Sequence, residues 1–483
     1  MIIIRLRSFA LTLGAAALAA CGSDDGVSPP ADTCATNPAA CTAVITGDIT
    51  TNRTLRADTA YTLGGYVHVT GNAVLTIEPG TVIKGRLGSA LFILPGARIE
   101  ANGTADKPIV FTSDQAVGSR KPGDWGGLIL IGRGIINRTG TVELEGTGSS
   151  TENYAVTYNG GTNNADNSGT LRYVRVEFAG FGVAANQELN SFTFAAVGSG
   201  TTLEYLEALA GLDDSFEWFG GAVDSKYLVS YESGDDHFDS SEGHVGRNQF
   251  LIAYQSTVLQ PRAGSGTLSA DPQGFEVDGC GSASGSGCSQ GYDSTPLNAP
   301  LFANFTMVGT GPNNDVAATS GGVGLLLRRG TGGFWVNGIL ARWPRAAISL
   351  RDPETQQRFA DNAAVVRNIL ITETGAVAGT NGPVFETGSG RFSSDVAANA
   401  LVSAGGAVTA ASLFSALPTL PANAAALDWS LSATSAARTG GTGAFTGALA
   451  TKAGSFAVGT SYVGAADPSG AKWWQGWTSY ARN

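Results

Sequence analysis

The chain has 483 residues, 67 of them glycine, with only 2 methionines and 14% charged side chains. That composition suits short strands and tight turns and argues against a helical protein. Acidic residues outnumber basic ones 40 to 29, and no basic stripe interrupts them, which excludes nucleic acid as a partner.

The first predicted element is an export signal over residues 1–20. Arg5 and Arg7 give it a basic start, Ser8 to Ala17 form a short apolar stretch, and Leu18-Ala19-Ala20-Cys21 closes it. The apolar stretch is too short for a membrane helix, and small residues precede the cut. Small residues followed directly by cysteine resemble the bacterial lipobox, which implies an acylated Cys21. The competing reading is an ordinary signal cut near Ala20. Gly22 after the cysteine, by resemblance to lipoprotein sorting in enteric bacteria, points to the outer membrane. Loss of Arg5 and Arg7 leaves 27 basic residues against 40 acidic ones. Gly22 to Thr33 is too polar and turn-rich to bury a core and reads as a tether. No later segment is long and apolar enough to cross a membrane as a helix.

Four cysteines remain, in two close pairs: Cys34 with Cys41, and Cys280 with Cys288. In an oxidising envelope compartment these predict two local disulfides. Zinc is the alternative, but the spacings are poor for it and no histidine stands nearby. The expected organisation is a signal (1–20), a lipidated Cys with tether and disulfide loop (21–43), a β body (44–397), and an Ala/Gly/Ser-rich C-terminal part (398–483).

From Val44 onward short apolar runs alternate with Gly, Asn, Asp and Pro. Val74 to Ile77 leads into Glu78-Pro79-Gly80, and Leu91 to Leu94 leads into Pro95-Gly96. A longer period follows: Tyr205-Leu206 recurs 22 residues later as Tyr227-Leu228, and Asp213-Asp214-Ser215-Phe216 as Asp235-Asp236-His237-Phe238. A constant register in β-type sequence is the signature of stacked coils. Sandwiches do not repeat a loop motif at fixed spacing, and a propeller blade needs a period of about 40 residues. The predicted fold is all-β: a right-handed parallel β-helix with loop excursions and capped ends, of on the order of 12 to 15 coils. Period-two alternation puts Val174, Val176 and Phe178 on its inner face, with Tyr173, Arg175 and Glu177 outward and Leu171 at the strand's edge. Phe216 and Phe219 read as core, and Trp218 is left open between core and carbohydrate platform. Gly146 to Gly169 and Arg262 to Pro296 read as excursions, and Ala410 to Leu417 as a short helix. An open solenoid end needs a cap, for which Trp473-Trp474-Gln475-Gly476-Trp477 is the candidate.

Gly123-Asp124-Trp125-Gly126-Gly127 and the residues to Gly132 resemble a motif in a family of bacterial β-helix lipoproteins and secreted surface proteins. So do Asp213 to Gly221, Tyr231 to Asp239, and the final Gly476-Trp477-Thr478. The resemblance runs from about Ile45 to the C-terminus and weakens over Ala398 to Ala453. It implies a pectin-lyase-like architecture and carries no shared activity.

The chemistry-bearing constellation is acidic: Asp213, Asp214, Glu217, Asp235, Asp236, Asp239 and Glu242, with Glu276 and Asp278 later. If the 22-residue register is a coil, Asp213 lies over Asp235 and Asp214 over Asp236, at about 5 Å. Such carboxylates repel unless a cation or retained protons intervene. Calcium, with six to eight oxygen ligands, is the expected cation, on Asp213, Asp214, Asp235, Asp236 and Asp239. The bland alternative is a row of solvated turns whose aspartates satisfy local amides. An enzymatic alternative uses the same row. Polygalacturonases of this fold carry an Asp pair, a Gly-His-Gly and an Arg-x-Lys; here Gly243-His244 follows Asp236 too closely, and the basic triplet is missing. A lyase or hydrolase of acidic glycans would need Asp235 and Asp236 with Lys226 or Arg247 as base. The preferred expectation is a non-catalytic surface module with a carbohydrate or another envelope component as partner. His237 and His244 sit in acidic sequence, which predicts a raised tendency to charge.

Overall fold

The structure, a computed structural model, describes residues 41–148, 154–184, 187–269, 272–280, 287–311, 322–375, 385–387, 402–403, 408–417 and 427–481. The export signal, Cys21, the tether and Cys34 lie outside the described residues. Cys41 is buried and disulfide-bonded, and Cys280 is bonded to Cys288 as predicted.

Two long parallel sheets, of 15 and 10 strands, run side by side, and neighbours in each are one coil apart in sequence. In the first, Thr202–Leu209 pairs with Ser225–Tyr231, and that with Arg247–Tyr254. In the second, Phe192–Ala195, Phe216–Phe219, Phe238–Ser241 and Phe275–Asp278 lie in succession. A chain that visits the two sheets alternately, always in parallel register, is a right-handed parallel β-helix. The 22-residue spacing is the observed register, with Leu206 beside Leu228 and Phe216 beside Phe238. Where an excursion intervenes the coil lengthens, so that Leu251 pairs with Phe305.

The second sheet's strands alternate cleanly. Phe192, Phe216, Phe238 and Phe275 point inward and stack, with ring centroids 4.9, 5.4 and 5.4 Å apart. Each buried ring is worth roughly 1.5–3 kcal/mol by removal from water. Trp218 belongs to this interior with Phe216, whereas Phe219 faces outward into a separate cluster with Ile136 and Tyr158. Phe219 is buried as expected, but in this outer cluster, because it lies three residues after Phe216 on the opposite face of the pleat.

The first sheet's long strands do not alternate throughout. Tyr173, Tyr205, Tyr227, Phe250, Asn304, Asn337 and Asn368 hold φ between 49° and 65° and occupy one position in successive coils. A left-handed aromatic residue is uncommon; here stacking offsets its strain, with centroids 4.3, 4.4 and 5.2 Å apart from Tyr173 through Phe250. The bend shifts the alternation by one residue. Leu171, Val174 and Val176 face the interior, so Leu171 is core and not edge. Phe178, itself left-handed at 60°, turns out into an outer cluster.

The Gly-Asp-Trp-Gly-Gly motif is a packing device. Trp125 is fully buried and its Nε1 donates to Glu177 O at 2.8 Å. A Cβ on Gly127 would meet Asn190 O at 1.9 Å. Asp124 accepts from Ser113 Oγ and Arg262 Nε, both at 2.6 Å. Ala410–Leu413 is helical, but Phe414–Ala416 is a strand, so the expected helix is shorter. The Trp-rich segment expected to cap an end lies instead along the flank of the first sheet, packed on Tyr173, Tyr205 and Tyr227.

Candidate functional site: an acidic cavity on the second sheet

Residues one place after the inward phenylalanines must point outward. Glu217, Asp239 and Glu276 do so, each beside the next. Two places before the phenylalanines stand Asp214, Asp236 and Gln273, and these close the coils. Asp214 Oδ1 accepts from Asp236 N at 2.8 Å, Asp236 Oδ1 from Gln273 N at 2.6 Å, and Gln273 Oε1 from Val323 N at 2.8 Å. The bland reading thus holds for one oxygen of Asp214 and of Asp236. Their remaining oxygens, with Asp213 and Asp235, face a cavity.

The cavity is about 380 Å³ and is lined by ten carboxylates: Glu145, Asp213, Asp214, Glu217, Asp235, Asp236, Asp239, Glu242, Glu276 and Asp278. Three guanidiniums, Arg138, Arg328 and Arg329, share it. Glu145 joins the lining from between the two strands of the antiparallel hairpin, Val142–Glu143 and Thr157–Tyr158. The arginines are engaged on one side. Arg328 pairs with Glu276 and, at 2.6 Å, with Asp278; Arg329 also reaches Asp278, at 2.5 Å. Arg138 pairs with Glu242, whose other oxygen takes the Tyr158 hydroxyl at 2.6 Å.

The other side gathers carboxylates. Ligand atoms of Asp213, Asp214 and Asp235 lie within 4.8 Å of one another, as do those of Asp214, Glu217 and Asp239, and of Asp236, Asp239 and Glu276. Asp239 Oδ1 is buried without a hydrogen-bond partner. Burial first, and repulsion from neighbouring carboxylates second, hold Asp213, Asp214, Glu217, Asp236 and Asp239 well above the usual carboxylate range. Glu145 is pushed up to about 7 by burial and by Glu188 and Glu242. At neutral pH this site either keeps protons or takes up positive charge. Its oxygen-only, multi-carboxylate donor set suits a hard cation such as calcium.

The proposed basic partners are elsewhere. Lys226 and Arg247 lie on the first sheet, the first with its Nζ 4.5 Å from the Phe456 ring centroid, the second paired with Asp224. Neither lines the cavity, so a lyase base drawn from them is ruled out at this site. The register explains the error, since both sit within the long strands while the acids sit on the second sheet. His237 and His244 are also corrected. Both are fully buried, with Nδ1 bonded to Ser230 Oγ at 2.5 Å and Gly220 O at 3.1 Å, and burial lowers both to about 3. Trp125 and Trp218 are buried and offer no face to a sugar. Sequence reasoning missed Arg138, Arg328, Arg329 and Glu145. Arg328 stands beside Asp278 in register, but long excursions separate them in sequence and hide the pairing.

A solenoid with parallel sheets and a carboxylate-lined cavity on one flank defines the class. The chain belongs to the family of pectate-lyase-like β-helix domains, whose model matches residues 47–412. No curated protein and no solved structure matches it.

Proposed function

We propose that this is a lipid-anchored β-helix of the bacterial outer membrane that binds rather than cleaves, and that its acidic cavity holds calcium. The observation that carries this reading is the convergence of Asp213, Asp214, Glu217, Asp235 and Asp239 around shared space, with Asp239 Oδ1 buried and unsatisfied. A cation there would replace retained protons and relieve the repulsion that raises these groups. It would also tie together the coils that begin at Phe216, Phe238 and Phe275. Cleavage of acidic glycans is the rival, and two features oppose it. The cavity's arginines, Arg138, Arg328 and Arg329, are engaged by Glu242, Glu276 and Asp278, and the suggested bases Lys226 and Arg247 stand outside the cavity. A carbohydrate or envelope partner would then be held on the surface and not processed.

The test is calorimetric titration of the chelator-treated protein with calcium, alongside Asp235→Asn and Asp239→Asn. Saturable heat that falls in both variants is the expected result. No heat, and no change in melting temperature between calcium and chelator, would remove calcium from the proposal. Incubation with uronate polymers should yield no unsaturated or reducing ends. Membrane association should be lost in Cys21→Ser.

A further inference from the structure

Residues 427–481 contribute no strand to either long sheet; their one strand, Asp428–Leu431, pairs antiparallel with Phe414–Ala416. They lie as a strap on the outer flank of the first sheet. At the late coils, Asn368 Nδ2 donates to Gly440 O at 2.7 Å, and Asn337 Oδ1 accepts from Thr442 N at 2.8 Å. The strap then passes Asn304, whose Nδ2 donates to Thr460 Oγ1 at 2.7 Å, and Gln249, whose Nε2 donates to Val458 O at 2.7 Å. It ends over the early coils. There Trp477 stands edge-on to Tyr173 and Tyr205 at 5.7 and 6.1 Å. Ser479 N donates to both oxygens of Glu207 at 3.0 and 2.9 Å, and the Tyr480 hydroxyl donates to Glu232.

Two features separate this strap from the coils it covers. Its attachments are mostly to side chains, with single backbone contacts such as Gly464 N to Asn337 O, and it adds no strand to the coils' backbone ladder. Its apolar residues Trp429, Trp474, Trp477 and Tyr480 pack with outward-facing coil residues such as Tyr231, Ile252 and Leu370, in a cluster distinct from the interior one that holds the coils together. Its contacts also join the most distant parts of the chain, as in the bond from Arg175 Nη1 to Trp477 O. Closing so long a loop comes after local coil-on-coil pairing. We propose that the strap is a latch, which docks once the coils are wound and opens as one unit while they remain wound. Opening uncovers Glu207, Glu232 and the aromatic flank of Tyr231 and Tyr254.

Tryptophan reports on this directly. Of the 8 tryptophans, Trp429, Trp473, Trp474 and Trp477 lie in the strap, and Trp125, Trp218, Trp335 and Trp343 lie in the coils. In a urea titration of the full chain, a red shift in fluorescence should precede the loss of far-ultraviolet circular dichroism. A stop after Gln475 removes Trp477, Ser479 and Tyr480; it should shift the fluorescence midpoint to lower urea and leave the dichroism midpoint in place. Coincident transitions in the full chain would overturn the latch, because the strap would then be part of one cooperative core. A truncation that lowers both midpoints together would overturn it equally.

Discussion

Replacing Arg328 with methionine isolates the electrostatics of the cavity, because the substitution keeps much of the side-chain volume and removes only the guanidinium. In the native protein that group pairs with Glu276 and with Asp278 at 2.6 Å, and these carboxylate side chains are only 10% and 4% exposed. Stranding buried charge by deleting its partner costs about 3–5 kcal/mol. Arg328 itself keeps 27% exposure, so water screens part of the interaction and about 3 kcal/mol is the appropriate magnitude. The pH dependence has a definite sign. Burial and Asp278 already raise Glu276, and Arg328 is the opposing influence, so its loss raises Glu276 further. A carboxyl with a raised folded-state pKa is destabilising above its unfolded value, and the penalty vanishes as pH falls through that value. The variant's deficit should therefore be larger at pH 8 than at pH 4. Urea denaturation in chelator at several pH values measures it. A deficit below about 1 kcal/mol that does not change with pH would refute the reasoning, since it would mean the pair is no stronger than an exposed one.

The intact protein in chelator should gain stability on acidification from pH 8 towards pH 5, because Glu145 at about 7 and the raised aspartates stop opposing folding once protonated; saturating calcium should flatten that trend in a melting-temperature series. Phe216→Ala removes one of the two inner rings of the four-ring interior stack and should lower stability by about 3–5 kcal/mol in the same urea assay. Gly127→Ala puts a methyl 1.9 Å from Asn190 O at a φ of 152°, and should prevent accumulation of folded protein, read as loss of the soluble fraction. Glu207→Gln keeps one of the two oxygens that accept from Ser479 N, so it should lower the melting temperature less than Glu207→Ala, which removes both.

The coil period was legible because the acidic turn and the inward phenylalanine recur together in unbroken sequence, from Asp213-Phe216 to Asp235-Phe238. That same repeat stacks Asp213 near Asp235 in the folded chain. The cavity's other walls were not legible, for a topological reason. Arg328 and Glu145 reach it across excursions whose length bears no relation to the coil, so no local spacing signals them. The inner face of the first sheet was misread for a conformational reason. Period-two counting assumes extended backbone throughout, and it breaks twice here: Tyr173 at φ 49° puts Leu171 on the same face as Val174, and Phe178 at φ 60° turns itself outward. Histidine charge was misjudged because neighbours in sequence were taken for neighbours in space. His237 turns inward to Ser230 Oγ and the Trp343 ring, and His244 stacks on Trp218, while the acids beside them line the cavity.

The left-handed position repeated through the first sheet is occupied by aromatics in the early coils and by asparagine from Asn304 onward. The backbone angle is nearly the same in both groups, so the winding of the coil dictates the bend, and the side chain there is free to suit whatever lies outside. Where the strap presents Trp473 and Trp477, the position offers a ring; where the strap presents backbone amides and carbonyls, it offers an amide. The flank is in this sense modular in a way that the interior is not. Asn304 and Asn337 are buried beneath the strap and each ring is supported by its stacked neighbours, so these seven positions decide, coil by coil, what the wall holds against its flank.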